Sequence, residues 1–181
     1  MPAAVPSTRR DQIVSAARRL LEAEGPEALS MRNVAAEIGI RAPSLYEHVA
    51  DKRALESAIV ATGLHEQGAA LSQALLDDHG DPLMAVGQAW RRWAHAHPHV
   101  YRLIYVRDLD RSDRAVADAE QAAGAALRQI CAGDLVTIRV IWAYAHGMAD
   151  LELSDRFPPG TDVEELWVRG LDALRALLPA T

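Results

Sequence analysis

The polar side chains best suited to chemistry lie on one short predicted helix, at residues 42–49. The outer faces of this helix and its start carry Arg41, Ala42, Ser44, Tyr46, Glu47 and His48. A short helix with small residues at its start and hydroxyl, ring and imidazole donors along its length can enter the major groove of DNA. The residue types therefore indicate contact with a nucleic acid.

Two predicted helices joined by a glycine turn position these side chains. The apolar residues of the first helix share one face at the 3/4 spacing of an amphipathic helix: Val34, Ala35 and Ile38. Gly39 follows, where a helix often ends in a left-handed residue, and Ile40 fills the turn. Pro43 fits the first turn of the second helix. Leu45 and Val49 are spaced to pack inward.

Length and composition predict an all-α protein. The chain has 181 residues, half of them hydrophobic, which suits one domain or two small ones with a sizeable helical core. Its apolar runs are too short for a transmembrane helix, and residues 1–12 lack the apolar stretch of a signal peptide. The single cysteine, Cys131, excludes an internal disulfide and suits a cytoplasmic protein. We expect Cys131 to be a packed residue rather than a redox sensor.

Charge is distributed unevenly along the chain. The net charge is −6, yet residues 1–57 hold eight basic and eight acidic residues. The excess of acidic residues lies wholly after residue 57, with 17 acidic against 11 basic side chains. A neutral N-terminal segment with clustered arginines on an acidic body is compatible with DNA binding through that segment.

Capping and stop signals divide the chain into about nine predicted helices. The signals are Thr8 with Asp11, Gly25 with Pro26, Ser30, Asp51, Asp81 with Pro82, Gly133 with Asp134, and Thr161 with Glu164 as a capping box. A charged loop is predicted at 107–111, and a seventh helix from Ser112 to about Cys131. We predict a helix-turn-helix DNA-binding domain over 1–57 and a helical effector-binding and dimerisation domain over 58–181.

The last two predicted helices are apolar over more than one face. A helix of this kind needs cover on several sides. A second copy of the chain could supply that cover through a two-fold four-helix interface, and the alternative is a well-covered monomer core. We favour a homodimer, because groove-binding domains usually come in pairs.

The chain resembles the TetR family of transcriptional repressors. The resemblance rests on Arg32, Gly39-Ile40, Pro43-Ser44-Leu45-Tyr46, His48 and Asp51-Lys52-Arg53-Ala54-Leu55, and it covers residues 8–57. A weaker likeness, Trp142 followed by His146-Gly147, points to one regulatory-domain type. The family likeness implies a homodimer with an N-terminal DNA-binding head and a variable helical body that binds a small effector.

The resemblance also implies roles for individual residues. Five residues match family positions that usually contact phosphates: Ser30, Arg32, Tyr46, His48 and Lys52. Four residues match the start of the recognition helix, which reads the bases: Arg41, Ala42, Pro43 and Ser44. Among the base-reading residues only Arg41 could grip a guanine with two hydrogen bonds. Glu47 departs from the family pattern, and its carboxylate could accept from a cytosine amino group or face solvent.

Aromatic residues in the body define a candidate effector site. The candidates are Trp90, Trp93, Tyr101, Ile104, Trp142 and His146. An apolar pocket with one or two polar tips is typical of a small-molecule site. The same residues also fit an ordinary bundle core, since buried Trp and Tyr need only one polar partner each.

Other sites are not supported by the sequence. His95, His97 and His99 alternate, but residues two apart on a helix diverge and Pro98 interrupts the helix, so no metal or other cofactor is expected. No catalytic motif is present, and we expect no enzyme activity. The sequence predicts a homodimeric repressor of a palindromic double-stranded DNA operator, released by a small apolar effector. The alternatives are a helical small-molecule-binding or enzymatic bundle without DNA binding, and a ligand-blind regulator or activator.

Overall fold

The computed structural model describes residues 8–77, 80–106 and 113–179. Over these ranges the chain is helical and contains no strand. The helices are α1 Arg9–Glu24, α2 Met31–Glu37, α3 Ala42–Tyr46, α4 Lys52–Asp77, α5 Pro82–Ala96, α6 Pro98–Val106, α7 Arg114–Ala123, α8 Ala125–Ile130, α9 Leu135–Leu153 and α10 Val163–Leu174. Two short 3₁₀ turns, Pro26–Ala28 and Arg175–Leu177, complete the described elements. The predicted all-α fold is confirmed.

The chain forms two compact units, and it passes from one to the other inside α4, at the start of α6 and inside α7. The first unit comprises residues 1–63 and 99–118, and the second comprises residues 64–98 and 119–181. Compactness therefore groups α6 with the N-terminal helices. The functional division at residues 57 and 58 remains a prediction.

Local capping groups set the ends of the helices in the first unit. Thr8 and Asp11 form the predicted capping box, with Asp11 N 3.1 Å from Thr8 Oγ1 and Thr8 N 2.8 Å from Asp11 Oδ2. These bonds satisfy backbone donors that have no partner inside the helix. Asp51 caps α4 as predicted, since its Oδ1 accepts from Ala54 N at 2.8 Å.

A long-range cap joins α1 to α6 within the first unit. The carboxylate of Glu22 accepts hydrogen bonds from His99 N at 3.2 Å and Val100 N at 2.9 Å. These are free donors at the start of α6, where the helix dipole also favours a negative charge. Glu22 therefore fixes the N-terminus of α6 against α1.

In the second unit, α5 packs against α8, α9 and α10, and α9 packs against α8 and α10. Its core includes the buried side chains of Trp90 and Trp93 from α5, Ile141 from α9 and Trp167 from α10. Gly87 allows α5 to approach α10 closely, because a Cβ atom there would lie 2.5 Å from Leu171 Cδ1.

The predicted start of the last helix is wrong. The N-cap of α10 is Asp162, whose Oδ1 accepts from Glu165 N at 2.9 Å, and not Thr161 with Glu164. The Thr161 hydroxyl instead donates to Pro158 O at 2.7 Å, so it is already used in the preceding turn.

The predicted seventh helix is also divided. Gly124, with φ −80° and ψ −2°, separates α7 from α8. A Cβ atom at this position would lie 2.6 Å from Arg128 Nη1, so the glycine leaves room for the arginine side chain. The predicted start at Ser112 and the loop at 107–111 lie outside the described residues.

Candidate nucleic-acid interface

A glycine turn with two backbone hydrogen bonds joins α2 to α3. Gly39 has φ +68°, a conformation that glycine adopts at little cost. Ile40 N donates to Ala35 O at 2.9 Å and Gly39 N donates to Ala36 O at 3.1 Å. This pair of bonds is the Schellman ending of a helix. The turn therefore sets the angle at which α3 leaves α2, as the sequence predicts.

Two hydrogen bonds fix the start of α2. Ser30 Oγ accepts from Asn33 N at 3.2 Å, which confirms the predicted cap. Asn33 Nδ2 donates to Ala28 O at 2.9 Å and ties α2 to the preceding 3₁₀ turn. The sequence analysis did not single out Asn33, because an asparagine inside a helix gives no local sign of a backbone partner five residues away. Arg32, one residue earlier, is exposed.

One side of α3 is buried and the other faces solvent. Leu45 and Val49 are completely or almost completely buried, as predicted. The exposed residues are Arg41, Pro43, Ser44, Tyr46, Glu47 and His48, whereas Ala42 is half-buried. Tyr46 keeps 51% of its surface accessible although it is large and aromatic. Four of the predicted DNA contacts, Arg41, Pro43, Ser44 and Tyr46, are thus exposed on α3 or directly before it.

The recognition helix is shorter than predicted. α3 ends at Tyr46, not at residue 49, and both His48 N and Val49 N donate to Leu45 O at 3.1 Å. The shared acceptor tightens the chain into a turn after the helix. His48 therefore lies in the turn that leads to α4, and only Ala42 to Tyr46 are helical.

Lys52 begins α4 beside a carboxylate. Its Nζ lies 3.8 Å from Glu56 Oε1, one turn further along the helix. The Lys52 side chain is 45% exposed, so solvent weakens this pair. The first turn of α4 also presents backbone N–H groups and the positive end of the helix dipole. A phosphate would therefore be bound favourably here and would compete with Glu56 for the Lys52 ammonium group.

The six predicted effector-binding residues are divided between the two units. Tyr101 and Ile104 are buried in the first unit. In the second unit, the Trp142 and His146 rings stack with centroids 5.4 Å apart. Burial lowers the pKa of His146, which Asp150 partly opposes. Trp142 keeps 40% of its surface exposed.

Trp90 and Trp93 lie on α5 in the second unit and are almost fully buried. The Trp93 ring also contacts His97, with centroids 5.1 Å apart. Burial of both indoles is compatible with either a pocket wall or a plain core, so their role stays a prediction. Among the described residues, no group of three His, Cys, Asp or Glu side chains is arranged to hold a metal ion. No described helix is long and apolar enough to cross a membrane.

Two family models match this chain. The one described as "Bacterial regulatory proteins, tetR family" matches residues 13–59, which include the turn, α3 and Lys52. The one described as "Tetracyclin repressor-like, C-terminal domain" matches residues 83–174. The chain belongs to the TetR family. It is a helix-turn-helix, DNA-binding transcriptional regulator, as the sequence predicts.

Individual proteins are also similar to this chain. An uncharacterised HTH-type transcriptional regulator, Rv0681 from Mycobacterium tuberculosis, is 26% identical over 159 residues, covering 80% of this chain and 70% of that protein. The class D tetracycline repressor from Escherichia coli is 30% identical over 101 residues, covering 56% of this chain but only 41% of that protein. A structure of a protein of unknown function from Rhodococcus sp. RHA1 superposes with a TM-score of 0.81 at 22% identity, covering 99% of this chain and 100% of that one.

An ion-pair network in the second unit of this TetR-family chain was missed by the sequence analysis. Glu152 on α9 lies 2.7 Å from Arg91 Nη2, accepts from Trp167 Nε1 at 3.1 Å, and lies 3.2 Å from His95 Nε2. Arg91 also pairs with Glu164 on α10. Burial alone would raise the pKa of Glu152, but the hydrogen bonds from Arg91, Trp167 and His95 outweigh it and lower that pKa. The network joins α5, α9 and α10.

Proposed function

We propose that the protein is a homodimeric repressor that binds a palindromic operator and is released by a small, fairly apolar effector. The main support is the exposed face of α3, which carries hydrogen-bond donors and follows the Schellman turn at Gly39. The chain also belongs to the TetR family. A regulator rather than an enzyme is the function that this surface supports. Since a DNA-binding regulator must reach its operator, we propose that it acts in the cytoplasm.

Within the proposed interface, phosphate contacts and base contacts are separable. Tyr46, His48 and Lys52 offer single donors suited to phosphate oxygens, as do Ser30 and Arg32 at the start of α2. Arg41, Ala42, Pro43 and Ser44 make up the proposed base-reading segment. Arg41 at the start of α3 has an exposed guanidinium that can bind a guanine through two hydrogen bonds.

Variants of α3 and α4 test the DNA assignment. The double substitution Tyr46→Ala with Lys52→Ala should weaken binding to all DNA sequences. It should also reduce the slope of log binding constant against log salt concentration by about two, since each phosphate contact contributes about one to that slope. Arg41→Ala should instead relax specificity at one base pair, costing about 1–3 kcal/mol there. Operator affinity measured by fluorescence anisotropy across a salt series separates these effects.

The matched control is Arg114→Ala, which removes an exposed arginine paired with Asp118 on α7 and should leave operator affinity unchanged. Unchanged affinity in the folded Tyr46→Ala, Lys52→Ala protein would refute the DNA assignment. Selection of the fragments that the protein binds from random DNA should yield a palindromic consensus sequence. No enrichment would support a bundle without DNA binding instead.

An exposed apolar stripe on α9 supports the homodimer. Its members follow one another at spacings of three or four residues on one helix face, and all except the half-buried Gly147 are exposed: Val136, Val140, Ala143, Gly147 and Leu151. Val136 is 69% exposed in the single chain. Leu166 on α10 is 39% exposed and is also apolar. An apolar stripe of this length is typical of a face covered by a second copy.

A charge placed on this stripe tests the interface. Val140→Asp should turn a dimer into a monomer and weaken operator binding, because an uncompensated charge in an apolar interface costs several kcal/mol. Leu76→Asp is the control, since Leu76 is 78% exposed at the end of α4 and outside the stripe. Sedimentation of the two variants distinguishes them, and a Val140→Asp protein that remains dimeric would contradict the proposed interface.

The effector part of the proposal rests on family membership and on aromatic residues. One relative is named for tetracycline, a small molecule. We propose that Trp90, Trp93, Tyr101, Ile104, Trp142 and His146 contribute to effector binding. The effector would select a body conformation in which the two heads no longer match major grooves about 34–36 Å apart. If no small apolar compound releases the protein from the operator, the proposed effector binding is refuted and the proposed DNA binding is not affected.

A further inference from the structure

Glu47 follows α3 directly and continues its helical path, with φ −67° and ψ −21°. It lies two residues after Leu45, which is completely buried. At about 100° of rotation per residue, side chains two residues apart on a helix point about 160° away from each other. The Glu47 carboxylate is therefore directed almost opposite to the packed side of α3, and the residue is exposed.

The outward face of α3 also carries two of the proposed base-reading residues. Pro43 precedes Glu47 by four residues and Ser44 precedes it by three, and both are exposed. Residues three or four apart share one face of a helix. Tyr46, a proposed phosphate contact, is turned about 100° to one side of that face. An orientation of α3 that brings Pro43 and Ser44 to the base edges therefore brings Glu47 there as well.

Two acidic residues close to Glu47 in the chain already have partners within the protein. Asp51 caps α4 by accepting from Ala54 N at 2.8 Å, and Glu56 lies 3.8 Å from Lys52 Nζ. Within the described ranges, the Glu47 side chain takes part in no ion pair or hydrogen bond. Its carboxylate is thus available to accept a hydrogen bond from outside the chain.

The major groove offers a carboxylate few suitable partners. An ionised carboxylate only accepts hydrogen bonds, and the donors that bases present in this groove are the amino groups of cytosine and adenine. On adenine the amino group adjoins the N7 acceptor, which repels a carboxylate, whereas cytosine has no acceptor beside its amino group. A carboxylate that loses water in the groove without meeting a donor costs free energy. Cytosine is therefore the base that suits Glu47 best.

We propose that Glu47 is a specificity-determining residue that accepts a hydrogen bond from the amino group of a cytosine in the operator half-site. The inference rests on the proposed function, because α3 must enter the major groove. Arg41 and Glu47 flank the five residues of α3, which span about 8 Å at about 1.5 Å per residue. Successive base pairs are about 3.4 Å apart, so Arg41 and Glu47 should read different base pairs.

Selection of bound fragments from random DNA, with the full-length wild type, Glu47→Ala and Arg41→Ala in parallel, tests this assignment. The wild-type consensus should contain a C·G pair whose preference is lost in Glu47→Ala and kept in Arg41→Ala. Fluorescence anisotropy then compares operators that carry each of the possible base pairs at this position. The wild type should prefer cytosine by about tenfold, whereas Glu47→Ala should bind all of these operators within about twofold.

The conservative substitution Glu47→Gln provides a second test. It keeps the length of the side chain and adds an amide donor, so the new residue can pair with both N6 and N7 of adenine. The ratio of affinities for adenine over cytosine at the same position should rise by about fivefold or more. An unchanged ratio would contradict the proposed contact.

Glu24→Ala is the matched control, because Glu24 is an exposed glutamate at the end of α1 and the substitution makes the same change in charge. Its consensus sequence should equal that of the wild type. A consensus altered in Glu24→Ala as much as in Glu47→Ala would overturn the assignment, since net charge alone would then explain the effect.

The competing roles of Glu47 give different results. If Glu47→Ala binds every sequence more tightly and keeps the wild-type consensus, the carboxylate only repels phosphates. If affinity and consensus both stay unchanged, the carboxylate faces solvent. Either result refutes the cytosine contact and leaves the proposed function intact. If the wild type enriches no sequence although circular dichroism shows a folded helical protein, the proposed function fails and this inference fails with it.

Discussion

Replacement of Glu152 by glutamine tests the network that joins α5, α9 and α10. The substitution keeps the shape of the side chain and one acceptor oxygen, so Trp167 Nε1 retains a partner. It removes the charge that faces Arg91 and His95. We expect the free energy of unfolding to fall, because the Arg91 guanidinium then loses its main carboxylate.

The magnitude follows from burial and from the remaining partner. The Arg91 and Glu152 side chains are only 19% and 15% exposed. Breaking a buried ion pair typically costs about 3–5 kcal/mol. Arg91 keeps its pair with Glu164, which is 62% exposed. The cost should therefore lie lower, at about 2–3 kcal/mol.

The pH dependence has a definite sign. The pKa of Glu152 is lowered in the folded protein, so ionised Glu152 stabilises the fold. This contribution to the free energy of unfolding is fully present above the ordinary glutamate pKa of about 4.3. It is lost as the pH falls through the lowered pKa of the folded state. Urea unfolding at one protein concentration should show the largest difference between wild type and Glu152→Gln near pH 7. The difference should narrow below about pH 4.

The control is Glu165→Gln on α10. Glu165 pairs with Arg169 at 2.6 Å, but both side chains are at least half exposed. Loss of such a pair costs about 1 kcal/mol or less. Similar losses in the two variants, or a Glu152→Gln difference that does not change with pH, would refute the account of Glu152 as a buried charge partner.

Three further substitutions have definite expectations. Gly68→Ala should destabilise the second unit by about 1–3 kcal/mol, measured by urea unfolding, because its Cβ would lie 2.8 Å from the backbone oxygen of Ala122. Ser30→Ala should cost about 1 kcal/mol in thermal unfolding through loss of the α2 cap, and a cost near zero would contradict that role. Gly39→Ala should cost about 1–2 kcal/mol at φ +68° and weaken operator binding in anisotropy, whereas unchanged affinity would show that the turn angle does not matter.

Much of the recognition element could be predicted from sequence because it depends on local interactions. Ser30, Gly39 and Leu45 act within a few residues of their own positions, through a cap, a left-handed turn and a buried face. Such signals are encoded next to the structure they determine. The family likeness added the assignment to DNA, and the structure shows the exposed surface that the assignment needs.

The features that could not be predicted depend on which of several possible partners a side chain contacts, and the sequence alone does not determine this. Thr161 and Asp162 are adjacent and both can cap a helix, but the Thr161 hydroxyl is taken by Pro158 O, so Asp162 becomes the cap. The carboxylate of Glu152 meets Arg91 across 61 residues. No periodicity in the sequence pairs those two positions.

The cap that Glu22 provides to α6 also creates a natural probe of motion. The amide hydrogens of His99 and Val100 are held by a carboxylate nearly eighty residues away in the chain. They can exchange with solvent deuterium only when α1 and α6 separate or the carboxylate turns aside. Their exchange rates thus record that opening in the unlabelled protein. Any operator or ligand that tightens α1 on α6 should slow both amides together, while amides inside α1 report only the unfolding of that helix.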